Sequence, residues 1–220
     1  MKILITNDDG INDQGLLALY NAVRQFGDIT IIAPDKERSA ASHSITLNEP
    51  ITINEMSFNG QIAYYCSGTP VDCVKIGLNH LLYEKPDFVI SGINKGSNTS
   101  QNILYSGTVS AAVEGSINGI SSMAFSITSL TPKEYKTATK ITRLIIEKFT
   151  NLKLNYQTVI NVNIPPIKYS QLKGIKITRQ GKSKFKDSFF RVDKLNPLSP
   201  LRLDGELISI RDPDKNDDQC

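Results

Sequence analysis

Lys2-Ile3-Leu4-Ile5-Thr6-Asn7-Asp8-Asp9-Gly10 opens the chain with a β-branched, apolar run that stops at a turn-forming, doubly acidic sequence. Such a run, closed by Asn, Asp and Gly, reads as a buried strand from Lys2 to Thr6 that empties into a polar loop. Beyond it Leu16, Leu19, Tyr20 and Val23 recur at helical spacing, and Gly27 supplies a stop. Ile29 to Ala33 is a second apolar run, closed by Pro34. Strand, helix, strand in this order begins a parallel sheet, so the fold class is α/β.

The rest of the chain extends that plan. From Ile45 to Ser67 the pattern changes to short extended segments, and Asn59-Gly60 between them is a two-residue hairpin signal, so an antiparallel excursion is expected there. Thr69-Pro70 opens a helix with Thr69 as N-cap, Pro70 at the first helical position and Asp72 at the positive end; Val71, Val74, Leu78, Leu81 and Leu82 form its apolar face, with His80 inside it and without an assigned function. Asp87 to Ser91 is the next buried strand, followed by a loop from Gly92 to Ser106 and a small-residue helix from about Thr108 to Asn118. Met123 to Ile127 is a further strand. Thr131-Pro132-Lys133-Glu134 has the form of a capping box and predicts a helix from there to Phe149. Val159 to Ile164 completes the parallel set. Beyond Pro165-Pro166 the alternation fails: Ile175 to Thr178 and Glu206 to Ile210 read as isolated strands around a basic loop. The expected division is a domain over 1–180 and an appendage over 181–220.

Composition narrows the function. A chain of 220 residues and 24.3 kDa, 40% hydrophobic, is long enough to bury a real core. Its formal charge of +3, from 25 basic against 22 acidic residues, is too balanced for a protein that coats nucleic acid. Cys66, Cys73 and Cys220 are an odd set without a CxxC pair, which points away from a disulfide framework or structural zinc and suits a reducing cytoplasm. The amino terminus lacks the apolar length of a signal peptide, and no stretch is long enough to span a bilayer.

In an open parallel sheet, ligands bind beyond the carboxyl ends of the strands, where loops and helix amino termini share a crevice. Three oxygen-rich loops converge there: Asn7 to Gly10, Asp35 to Ser44, and Gly92 to Ser106. Two adjacent carboxylates at a partly buried site repel unless a cation neutralises them, and a hard divalent ion, Mg²⁺ or Mn²⁺, takes carboxylate, amide and hydroxyl oxygens. Asp8 and Asp9 are the candidate ligands, with Ser39 and Asn94 supplying neutral oxygens. Asp-Asp-Gly also suits a solvated turn anywhere; its place after a buried strand favours the metal. Ser106-Gly107-Thr108 enters a helix whose exposed N–H groups and dipole make a phosphate cradle, a role compatible with an ordinary cap at Thr108. His43 is a candidate for stabilising or protonating a leaving oxygen, or equally a hydrogen-bonded structural residue. The glycine-rich loop Ser91 to Asn98 fits neither GxxxxGK[ST] nor GxGxxG, which disfavours an ATP-driven or dinucleotide enzyme. Cys66 and Cys73 read as packing residues. Lys182, Lys184, Lys186 and Arg191, interleaved with Phe185, Phe189 and Phe190, read as a solvated loop or subunit contact rather than a nucleic-acid surface.

Ile5-Thr6-Asn7-Asp8-Asp9-Gly10, Ala33-Pro34-Asp35 with Ser39, His43-Ser44-Ile45-Thr46, Ser67-Gly68-Thr69-Pro70, Ser91-Gly92-Ile93-Asn94 and Tyr105-Ser106-Gly107-Thr108 together resemble the SurE (survival protein E) nucleotidase family. The motifs run in the family's order to about Arg179. The resemblance implies a Rossmann-like fold, one divalent metal per subunit, and hydrolysis of nucleoside 5′- and 3′-monophosphates, sometimes with short polyphosphate. It implies Asp8, Asp9, Ser39 and Asn94 as metal ligands, and Asn98, Ser106, Gly107 and Thr108 as phosphate-holding residues. The expected chemistry is a metal-polarised phosphoryl group attacked in line by an acidified water, with Asp8 or Asp9 orienting that water. Family members continue past the acidic loop into a strand with a GYxSxTPL-like pattern, whereas this sequence stops at Asp217-Asp218-Gln219-Cys220. Because such carboxyl-terminal arms exchange between subunits in the family, the resemblance implies a homodimer or homotetramer, with the shortened arm bearing on assembly. The rival readings are a non-catalytic nucleotide-binding module and a phosphoacceptor signalling domain; the latter needs an Asp where this chain has Ser91-Gly92-Ile93-Asn94.

Overall fold

The structure is a computed structural model that describes residues 1–150, 157–210 and 217–218. Cys220 and the Gln219-Cys220 end lie outside the described residues. The chain forms two compact units: Met1–Asn98 with Asn102–Lys173, and Thr99–Gln101 with Gly174–Cys220.

The first unit is built on a seven-stranded sheet in the order β3-β4-β2-β1-β5-β6-β7. The strands are β1 (Lys2–Thr6), β2 (Asp28–Pro34), β3 (Ile53–Phe58), β4 (Gln61–Cys66), β5 (Phe88–Lys95), β6 (Ser121–Ile127) and β7 (Val159–Ile164). All neighbours are parallel except β3 and β4, which form the expected hairpin around Asn59 and Gly60, both at positive φ as a tight two-residue turn requires. Four α-helices among the described residues cross over: α1 (Gln14–Val23), α2 (Pro70–Ile76), α3 (Gly107–Ile117) and α4 (Lys136–Phe149).

Alternation along the strands sorts the core. Ile3 and Ile5 of β1, with Ile31 and Ala33 of β2, pack with Leu16 and Leu19 of α1 and Ile145 and Ile146 of α4. Leu4 and Ile32, one residue out of phase, pack with Cys73 and Val74 of α2 and Ala111 of α3. A period of two on a sheet with helices on both faces yields this division directly. The chain leaves β1 for β2 on one side and later for β5 on the other, so the crevice beyond β1 and β5 is the switch point.

Several expectations need correction. The strand predicted to end at Ser91 continues to Lys95: Asn94 pairs with Ser126 and Lys95 with Ile127, after a register shift between Ser91 and Asn94. Gly92, at φ +128°, makes that irregularity feasible, because a Cβ there would sit 2.3 Å from the Phe125 carbonyl oxygen. Thr131 caps no helix; α4 starts at Lys136, with Tyr135 as an N-cap that makes no side-chain bond. The Thr131 N–H is turned to Ser129 Oγ at 3.3 Å, and the Gly96 N–H reaches both the Ile127 and Ser129 carbonyls, so tertiary bonds hold this segment as a loop. The α2 helix passes into a single π turn, Gly77–Leu81, which includes His80.

In the second unit the basic stretch is not a loop but β8 (Lys182–Arg191), paired antiparallel along its whole length with β9 (Leu201–Ile210). Ile175 to Thr178 forms no strand; Ile175 and Ile177 are 60% and 90% exposed, so burial does not hold them in one. The Asp218 carboxylate accepts from the N–H groups of Ser100 and Gly181, each at 2.8 Å.

Candidate active site

The turn after β1 is stitched to the loop after β2. Asn7 Nδ2 donates to the Gly10 carbonyl at 3.0 Å, the Ile11 N–H to the Pro34 carbonyl at 2.9 Å, and the Arg38 N–H to the Asp8 carbonyl at 2.7 Å. Gly10, at φ +99°, passes close under the Lys36 backbone, where a Cβ would stand 3.1 Å from Lys36 C. These bonds hold the two acidic side chains under the sheet's carboxyl edge instead of leaving them in solvent. Asp8 is 5% exposed and the Asp9 side chain 6%.

Burial pushes the Asp8 carboxyl above the usual carboxylate range, although the Thr108 hydroxyl donates to it. Burial, then the charges of Asp8 and Asp13, push Asp9 up to about 6, against the opposing pull of Lys95. The Lys95 N–H donates to Asp9 Oδ2 at 3.4 Å, and its ammonium stands 3.5 Å from Asp9 Oδ1 and 2.8 Å from Asp13 Oδ2. Asp13 also caps α1 through the Gly15 N–H at 2.7 Å. Among the described residues no group of three or more His, Cys, Asp or Glu is placed to hold a metal, so an ion here would rest on two carboxylates and neutral oxygens. That donor set fits a hard cation: the charge of Asp8 raises the pKa of Asp9, and Asn7 Oδ1, on the residue before the pair, is a buried acceptor without a partner among the described residues.

The amino end of α3 faces the same carboxylate. Ser106 is its N-cap, its Oγ accepting from the Val109 N–H at 3.0 Å, which leaves the hydroxyl hydrogen for another acceptor. Gly107 follows because nothing larger fits: a Cβ there would come within 2.9 Å of Asp8 Cβ and 3.1 Å of Pro70 Cγ. Thr108 is fully buried and commits its hydroxyl to Asp8. It reaches the site through that carboxylate.

Asp8, Ser39, Asn94, Asn98 and Ser106 line one cavity of about 390 Å³, together with Lys95 and the loop after β6. Ser39 donates to Glu37 Oε1 at 2.6 Å, and Asn94 gives its NH₂ to the Gly96 carbonyl at 2.8 Å, which leaves the amide oxygen available as an acceptor. His43 is not brought to this cavity. Its Nε2 lies 3.0 Å from Glu114 Oε2, and Glu114 stands seven positions along α3 from Gly107, about 10 Å at 1.5 Å per residue. Lys95, Ser126, Asn161 and Asn163 belong to the site's framework and were not singled out from sequence. The available signal was Asn161 and Asn163 themselves, two polar residues two apart on an otherwise apolar strand.

Fold and site together define an open-sheet α/β protein whose switch-point crevice joins a buried acidic pair to the amino terminus of a helix. Residues 3–187 match the family model described as survival protein SurE, and the chain belongs to that family. It is 43% identical over 217 residues to the 5′-nucleotidase SurE of Trichormus variabilis, spanning 97% of this chain and 82% of that protein. The 5′-nucleotidase SurE of Chlorobium chlorochromatii is 47% identical over 186 residues, spanning 84% of this chain and 68% of that protein. The crystal structure of the SurE protein from Aquifex aeolicus matches with a TM-score of 0.81 and 37% identity over 95% of this chain and 83% of that one. No helix among the described residues is long and apolar enough to cross a membrane.

Proposed function

We propose that the chain is a divalent-metal-dependent 5′-nucleotidase that hydrolyses nucleoside 5′- and 3′-monophosphates to nucleoside and phosphate, with short-chain polyphosphate as a further substrate. The observation that carries the reading is the placement of the Asp8 carboxylate against the amino end of α3, in one cavity with Ser39 and Asn94. The relatives that bear the name 5′-nucleotidase support the reaction class.

Asp8, Asp9, Ser39 and Asn94 would hold one Mg²⁺ or Mn²⁺, which when bound supplies Lewis-acid polarisation of the phosphoryl group and an acidified water. The protein's own part is orientation. Ser106 offers a hydroxyl hydrogen and α3 its positive end to the phosphate oxygens. Thr108 fixes the Asp8 carboxylate, and Lys95 holds Asp9, so both acids are set before substrate arrives. A homodimer or homotetramer is the assembly proposed with this activity, supported by Phe189, Leu201 and Leu203 exposed on the β8–β9 hairpin. A reducing cytoplasm suits Cys66 and Cys73, whose free thiols lie 3.3 Å apart.

Phosphate release from a panel of nucleoside monophosphates, with Mg²⁺ or Mn²⁺ and then with EDTA, tests the reading. Turnover that EDTA stops and added metal restores is the expected result. Tight nucleotide binding without release would make the chain a binding module instead.

A further inference from the structure

Asn98 lines the cavity, is 5% exposed, and is gripped from β7. Its N–H donates to Asn163 Oδ1 at 2.8 Å, and its carbonyl accepts from Asn163 Nδ2 at 3.0 Å and Asn161 Nδ2 at 2.7 Å. A side-chain amide that meets both the N–H and the C=O of one residue reproduces the pairing of a neighbouring strand. Asn163 thus carries the sheet's hydrogen bonding into a loop that has left the ladder. The Asn98 side chain is held as well: its Nδ2 donates at 2.8 Å to Ser126 Oγ, and Ser126 is the residue opposite Asn163 in the β6–β7 register. One of the two Asn98 amide hydrogens has no partner among the described residues.

The strand itself has no need of these residues. Val and Ile suit a sheet better than Asn, and a buried amide is costly unless its hydrogen bonds are made. Asn161 and Asn163 point the same way from β7, and both meet Asn98.

We infer that Asn161 and Asn163 are positioning residues for the substrate phosphate, acting through Asn98: they fix its backbone so that its remaining amide hydrogen is presented to a phosphate oxygen in the cavity. The inference rests on the nucleotidase reading above. Because Asn98 takes no part in bond breaking, its displacement weakens phosphate binding and leaves the chemical step largely intact.

Asn163→Leu, Asn161→Leu and Ser126→Ala in the full chain test this. Asn163→Leu removes two bonds to Asn98, and KM for AMP is expected to rise about tenfold, the equivalent of ~1.4 kcal/mol. Asn161→Leu and Ser126→Ala remove one each and should raise KM about two- to threefold. In every variant kcat stays within about twofold of wild type, and the inhibition constant of inorganic phosphate rises in parallel with KM. A purely structural role would lower kcat through a smaller active fraction, with KM and phosphate inhibition unchanged, and that result overturns the inference. Calorimetric titration of inorganic phosphate in the presence of Mg²⁺ needs no turnover: equal affinity in wild type and Asn163→Leu also overturns it. If Asn163→Leu does not fold, the two single-bond variants carry the same comparison. Wild-type protein that binds phosphate but releases none from AMP refutes the nucleotidase reading, and the calorimetric comparison still decides the role of the asparagines.

Discussion

Asp8 is held at two ends, its carbonyl by the Arg38 N–H and its carboxylate by Thr108. A carboxylate so enclosed has little freedom to find another partner, and Asp8→Asn keeps the shape while removing the charge. That variant is expected to abolish metal-stimulated phosphate release with an unchanged circular dichroism spectrum; normal turnover would remove Asp8 from the mechanism. Gly107 is the complementary case, since its contribution is the absence of a side chain. Gly107→Ala inserts a methyl 2.9 Å from Asp8 Cβ. Overpacking of this kind costs about 1–3 kcal/mol, so melting temperature and kcat/KM should fall together. A variant that matches wild type in both would show that α3 can retreat. The acidic pair was legible in the sequence only through its place directly after a buried first strand, since Asp-Asp-Gly by itself suits any solvated turn. That the Thr108 hydroxyl serves Asp8 was not, because the spacing of a cap motif does not say what lies in front of it.

The helix starts show where local chemistry decides an element and where it does not. Thr69 caps α2 in the expected manner: its Oγ1 accepts from the Asp72 N–H at 3.1 Å while Asp72 Oδ2 takes the Thr69 N–H at 2.9 Å. Thr131 carries equally good cap chemistry and starts no helix. The difference is tertiary, for Ser129 and Leu130 line the cavity and the chain must clear it before α4 can begin. Thr69→Ala should therefore cost about 1 kcal/mol, lowering the melting temperature by roughly 2–4 °C, whereas Thr131→Ala stays within about 0.5 kcal/mol. A larger effect at Thr131 than at Thr69 would contradict the observed helix boundaries. β8 is the converse: the period-two recurrence of Lys182, Lys184 and Lys186 was a strand signal, and its basic, polar composition disguised it as loop.

Across the molecule, Glu114 joins separate parts of the first unit. Burial opposes its ionisation, but Lys75 at 2.8 Å, His43 at 3.0 Å and Asn118 at 3.0 Å outweigh it and hold the carboxyl below its ordinary value of 4.5. A carboxyl depressed on folding stabilises the native state above its unfolded value, and that contribution disappears as pH falls through the folded value. Wild type should accordingly exceed Glu114→Gln in urea midpoint at pH 7, with the gap closing below pH 4.5; a gap that widens in acid would reverse the assignment. The proposed metal would act on the whole fold too. At about 100 times its dissociation constant, Mg²⁺ or Mn²⁺ should add about 2.7 kcal/mol, seen as a rise in melting temperature that Asp8→Asn abolishes.

The elements and their order follow from local physics: apolar periods of two and 3.6, the Asn59-Gly60 turn, the Thr69 cap and the doubly acidic end of β1 depend on residues a few positions apart. The same residues placed the crevice beyond β1, since parallel strands joined by helices open at their carboxyl ends. What the sequence could not state was which polar groups meet there. Asp8 and Thr108 are 100 residues apart, Asn98 and Asn163 are 65 apart, and His43 shares a loop with Ser39 yet is drawn off by Glu114, 71 positions away. Such pairings depend on strand order, a register shift at Gly92 and the approach that Gly107 permits, all of which exist only once the sheet has closed around them.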